Sequence, residues 1–142
     1  MHFSIKGGVS LYSGFLLKIG SEIFSMKYMA EKTYTAYASV QDLDSYRDAN
    51  GVLHREALSH VPIKCEFETM PLDNDQYGQI MDMIRRNYIN ELERKVSITA
   101  FIPEYNGYVT QDAYMSEPQP KIMNIDGQKI HYEPLRMAFI GY

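Results

Sequence analysis

Apolar positions in this chain recur mostly every second residue, and one segment departs from that rule. Ile63-Lys64-Cys65-Glu66-Phe67-Glu68-Thr69 sets Ile63, Cys65 and Phe67 on one side and charge on the other, which predicts a half-buried strand. Residues 34–41, rich in Tyr, Thr and Val, read the same way, as do residues 96–102, stopped by Pro103, and residues 108–115 after the turn signal Asn106-Gly107. Residues 16–19 and 23–28 flank Gly20-Ser21 as a short hairpin. A second pair, residues 121–125 and 129–133, flanks Asp126-Gly127-Gln128, and residues 135–142 predict a terminal strand. Ser116-Glu117-Pro118-Gln119-Pro120 reads as a rigid link.

The exception is a helix over about residues 73–89. Asp73 stands at a capping position with Gln76 three residues on, and Pro71 just before. Tyr77, Ile80, Met81, Ile84 and Tyr88 then fall at helical spacing, while Gln79, Asp82, Arg85 and Arg86 take the other face. Strands outnumber this helix, and no repeat or low-complexity tract interrupts them. The predicted fold is mainly β: one antiparallel β-sandwich or half-open barrel over residues 16–142, with a single α-helix across a face or edge. Residues 1–15, MHFSIKGGVSLYSGF, carry three Gly and three Ser without a steady period and read as an N-terminal arm. Its Phe3, Ile5, Val9, Leu11, Tyr12 and Phe15 are too apolar for a solvated tail, so the arm is expected to be an assembly element that orders only against a neighbour, adding an edge strand there rather than folding back on its own sheet.

Charge and composition narrow the function classes. A formal charge of -4 with pI ≈ 5.5 supplies no basic excess for gripping phosphates, which argues against tight binding of duplex DNA or RNA. The longest apolar candidate, residues 9–17, is broken by Ser10, Ser13 and Gly14 and falls short of the ~20 residues of a membrane helix. No small-x-small cleavage pattern follows it, so neither a membrane span nor a signal peptide is expected. A lone Cys65 forms no internal disulfide, and no Cys/His cluster has zinc spacing.

Candidate chemistry thins out on inspection. His54 and His60, near Asp44 and Asp48, lack the strand or helical spacing of a metal site, and Asp73-Asn74-Asp75 lacks the Gly and Glu of a calcium loop. The acid pairs Asp42/Asp44 and Glu91/Glu93 read as solvated surface, and Cys65, on the apolar side of its strand, reads as a small buried hydrophobe. No catalytic, cofactor-binding or metal residue is assigned, and no cofactor is expected. Twelve Tyr and six Phe with no Trp point instead to sheets and contact surfaces. The stretch DSYRDANGVLHRE crowds Asp44, Arg47, Asp48, Arg55 and Glu56 around Tyr46 and Asn50-Gly51, the strongest turn signal in the chain. It is either an ordinary solvated hairpin or an arm that meets a neighbouring copy.

The motifs L-L-K-I-G (16–20), D-S-x-R-x-x-N-G-x-x-H-R (44–55), K-x-E (64–66), one helix, a strand pair and a terminal L-R-M-A-F-I-G-Y (135–142) resemble small proteins of the tail modules of tailed phages and prophages of Gram-positive hosts. In outline these are similar to the tail-tube and distal-tail fold. The resemblance implies a non-enzymatic structural protein of the tail tube, distal tail or baseplate. It implies hexameric rings in the virion tail, assembled in the host cytoplasm, with this chain itself and other tail proteins as partners. DNA would only pass through, without specific binding, and no membrane is involved. The expected interface comprises Asp44, Tyr46, Arg47, Asp48, Asn50, Gly51, His54, Arg55 and Glu56 of the hairpin, with Phe3, Ile5, Val9, Leu11 and Tyr12 of the arm. The alternative is a monomeric ligand- or carbohydrate-binding β-sandwich that uses Tyr rings as a platform.

Overall fold

The computed structural model describes residues 2–3, 11–39, 42–57 and 61–142, of which 2–3, 42–45 and 54–57 are described in backbone alone. In chain order the elements are β1 (His2–Phe3), β2 (Leu17–Ile19), β3 (Glu22–Ile23), β4 (Thr35–Ala38), β5 (Asp42–Arg47), β6 (Leu53–Ala57), β7 (Ile63–Glu68) and β8 (Leu72–Asp73). There follow α1 (Asn74–Arg86), β9 (Lys95–Ile102), β10 (Gly107–Met115), β11 (Ile122–Asp126), β12 (Lys129–Tyr132) and β13 (Arg136–Gly141). Among the described residues the fold is mainly β with one α-helix, as the alternation and the single stretch of helical spacing predict.

The main sheet runs β3-β2-β9-β10-β13-β7-β4, with β1 also paired to β10, and every pairing in it is antiparallel. Every second residue of β9 is buried, from Val96 to Ile102, and β7 buries Ile63, Cys65 and Phe67. The sheet curls until the segment leading into β4 meets β9 again: the Tyr34 hydroxyl donates to the Phe101 carbonyl at 2.8 Å and lies 3.2 Å from that of Leu16. The result is a half-open barrel whose inner face forms the core with Ile80, Met81, Met83 and Ile84 of α1. Burying this apolar surface is the dominant stabilising term, at roughly 25 cal/mol per Å².

Asp73 and Gln76 form the expected capping box: the Asp73 carboxylate accepts from the Gln76 N–H at 2.8 Å, and the Gln76 carbonyl oxygen accepts from the Asp73 N–H at 3.0 Å. The helix ends at Arg86, three residues short of the sequence expectation. Asn87 stops it, its side chain donating to the Met83 carbonyl and to Glu22 at 2.7 Å each. Residues 26–28, expected as strand, form a 3-10 turn instead, in which the Tyr28 N–H bonds the Ser25 carbonyl and the Met29 N–H that of Met26, before Met29 bridges Thr69. Gly20 closes the β2–β3 turn at φ +59, where a Cβ would also stand 2.3 Å from the Asn87 Oδ1.

Gln111 is, with Thr69, one of two buried polar residues among the described residues. Alternation along β10 turns it inward, and its amide group accepts from the Ile63 N–H at 3.0 Å and donates to the Val61 carbonyl at 2.7 Å. It thereby ties β10 to the start of β7 without a strand pairing between the two. Two further sheets stand apart from the main one: β11-β12-β8, and the two-stranded ribbon β5-β6.

Candidate assembly surface

The segment read as a charged hairpin is a two-stranded antiparallel ribbon. β5 and β6 pair antiparallel, with Asp44 opposite Glu56, Ser45 opposite Arg55, Tyr46 opposite His54 and Arg47 opposite Leu53, after a bulge between Asp42 and Asp44. The turn is built by residues of the D-S-x-R-x-x-N-G motif. The Asp48 carboxylate accepts from the Asn50 and Val52 N–H groups at 2.9 and 3.1 Å, the Gly51 N–H bonds the Asp48 carbonyl, and Gly51 takes φ +79. The Arg47 guanidinium donates to the Gly51 carbonyl at 2.9 Å. Asp48, Asn50, Gly51 and Arg47 therefore share a local task, holding the tip in one shape. Along the ribbon Tyr46, Val52 and Leu53 expose 59, 55 and 44% of their surface.

A two-stranded ribbon is marginal in water by itself. Among the described strands neither β5 nor β6 pairs beyond the other. Such a ribbon gains stability from a surface that covers it.

The described arm residues lie on their own sheet. His2 and Phe3 pair with Thr110 and Val109 of β10, and the Leu11 N–H bonds the Asn106 carbonyl at 3.4 Å. Tyr12 meets the Phe101 ring edge-on at 5.9 Å, and Phe15 stacks on Tyr108 at 4.6 Å. The Tyr108 hydroxyl donates to the Phe15 carbonyl and accepts from the Ser13 N–H, at 2.7 and 2.8 Å. These contacts lie within the chain's own sheet, whereas the sequence leads one to expect an arm ordered only against a neighbour. Ile5 and Val9, like His60, lie outside the described residues.

A second surface was not singled out from the sequence. All five residues of β11 are exposed, with Ile122, Met123 and Ile125 at 54, 47 and 64%. Ile122 pairs with Tyr132 and Asn124 with His131, so Met123 is an extra, bulged residue, and the bulge carries Ile122 and Ile125 to the same side despite their odd spacing. Period-two counting misses a face assembled across a bulge. The hairpin is anchored where the Asn74 Oδ1 accepts from the Ile130 N–H at 3.1 Å and where Lys129 meets Asp75 and Asp73.

Other candidate chemistry is accounted for within the chain. Cys65 is buried, and desolvation pushes its thiol up to about 12, so the nucleophilic thiolate is absent at neutral pH. A cleft between α1 and the 91–94 turn, lined by Tyr77, Met81, Tyr88 and Met115, holds two arginines, but Arg85 pairs with Asp82 at 3.4 Å and Arg94 with Glu117 at 3.8 Å. Among the described residues, no three His, Cys, Asp or Glu side chains converge as metal ligands.

No curated protein matches the sequence. Among solved structures, the chain is similar to one from the tail of an empty gene transfer agent (GTA) particle computed with helical refinement in C6 symmetry. The likeness covers 92% of this chain and 96% of the other, at 18% identity and a TM-score of 0.46. Residues 10–142 match a family of unknown function (DUF6711), and the chain belongs to that family.

Proposed function

We propose that this protein is a non-enzymatic structural subunit of a phage or prophage tail, assembling with copies of itself into a ring, a hexamer by the resemblance, around a DNA conduit. The observation that carries the reading is the β5–β6 ribbon, bonded to no other described strand and bearing exposed Tyr46, Val52 and Leu53. A self-contained domain gains nothing from holding such a ribbon in shape with Arg47 and Asp48. A ring does, because a protruding element that meets a different patch on the next copy propagates from copy to copy and closes into a cycle where the rotation between copies divides the circle. The tail-module motifs of residues 16–20, 44–55 and 135–142 support the same reading, and a net charge of -4 suits a lumen through which DNA moves without adhering.

The carbohydrate-binding alternative needs ring faces open to a sugar. Phe15 instead stacks on Tyr108, and Phe101 with Tyr108 and Tyr114 with Tyr142 meet edge to face, at 4.6, 5.4 and 5.8 Å between centroids, so these rings engage one another. Negative-stain electron microscopy of the concentrated chain tests the proposal. Rings with a central hole are expected, and a field of uniform particles of 16.4 kDa at every concentration would overturn it.

A further inference from the structure

We infer that β5 of one copy adds in parallel to the open edge of β11 in the next copy, with Asp42 beside Lys121 and Arg47 beside Asp126. This rests on the assembly reading above and names the surface that receives the ribbon. Among the described strands β11 pairs only with β12, and β5 only with β6, so each carries a second edge able to exchange backbone hydrogen bonds.

The residue types decide the partner and the direction. Residues 42–47 read Asp-Leu-Asp-Ser-Tyr-Arg and residues 121–126 read Lys-Ile-Met-Asn-Ile-Asp. Laid parallel, they bring Lys121 to Asp42, Ile122 to Leu43, Asn124 to Ser45, Ile125 to Tyr46 and Asp126 to Arg47, leaving only Met123 beside Asp44 as a mismatch. Opposite charges meet at both ends, and apolar pairs meet between them. Laid antiparallel, the same stretches put Lys121 against Arg47 and Asp126 against Asp42, like charge on like. Pairing of β5 with β11 joins two different patches, the heterologous geometry that a ring requires. β11 laid antiparallel on a second β11 also sets Lys121 against Asp126, but that contact closes on itself as a dimer.

A charge-swap series on the full chain, read by sedimentation velocity across protein concentration, separates these outcomes. Arg47→Asp and Asp126→Arg singly are each expected to raise the concentration needed for assembly by about tenfold or more, and the double variant to recover part of that loss, the rest being the bond from Arg47 to the Gly51 carbonyl that Asp cannot make. Asp42→Lys with Lys121→Asp tests the other end of the register independently, and melting curves confirm that every variant folds. If the unaltered chain assembles while neither double variant recovers, this pairing is wrong and the ring reading stands. Lys121→Asp with Asp126→Lys preserves β11 self-pairing alone, so wild-type assembly by that variant also overturns the inference. An unaltered chain that stays at 16.4 kDa throughout overturns the ring reading and this pairing together.

Discussion

Glu22, Arg86 and Asn87 join the end of the helix to the first hairpin. The Glu22 carboxylate accepts from Arg86 Nε and Nη2 at 2.7 and 2.5 Å and from the Asn87 amide at 2.7 Å, while Gly20 leaves room beneath Asn87. These bonds, the Arg86 guanidinium first, hold the Glu22 carboxyl at about 2, against an ordinary 4.5. A carboxyl lowered on folding contributes stability that is complete above its unfolded value and is lost as pH falls through its folded value. The unaltered protein therefore gives up the Glu22 contribution between pH 4.5 and about 2. Glu22→Gln does not titrate, so the stability gap between the two proteins is expected to narrow across that window. Urea midpoints measured from pH 6 to 2 check it, and a constant gap would mean that Glu22 is not held by Arg86 in solution.

At the scale of elements, α1 shows what is readable from sequence and what is not. Its start is local: Asp73 and Gln76 cap each other within one turn, and Ile80, Met81 and Ile84 repeat at helical spacing, so cap and buried face were both legible. Its end is set from outside, by Glu22 reaching Asn87 from a hairpin far away in sequence, and no local pattern announces that. The buried Gln111 is the same kind of case, since the alternation puts it inside but only the tertiary fold supplies Ile63 and Val61 as partners. The D-S-x-R-x-x-N-G turn was visible as a turn, whereas the β11 face was hidden by the bulge at Met123. Ile84 is fully buried, so Ile84→Asp places an unpaired charge in the core and is expected to cost about 4 kcal/mol or more, comparable to the whole stability of many domains. Asp82→Ala on the exposed face is expected to stay within about 0.5 kcal/mol. Circular-dichroism melts of both test which face is buried, and equal losses would contradict the packing.

At the scale of the whole molecule, the outer face of the main sheet settles its charges internally. Arg136 bonds Glu66, Lys64 stands 3.8 Å from Glu66, Lys95 stands 3.9 Å from Asp112, and the Thr99 and Thr110 hydroxyls meet at 2.9 Å across β9 and β10. Exposed pairs of this kind contribute little to stability, but they leave the sheet face few unmatched groups to offer a partner. The apolar exposure of the β5–β6 ribbon and of β11 stands off that sheet, which is why both are assigned to contacts between copies. Amide hydrogen exchange followed against protein concentration tests this most directly, because an uncovered two-stranded ribbon opens easily and a covered one does not. Rapid exchange is expected across residues 42–57 in dilute protein and strong protection once the mass rises above 16.4 kDa, with α1 and β9 protected throughout. Ribbon amides that exchange equally fast before and after assembly, or a mass that never rises, would contradict it.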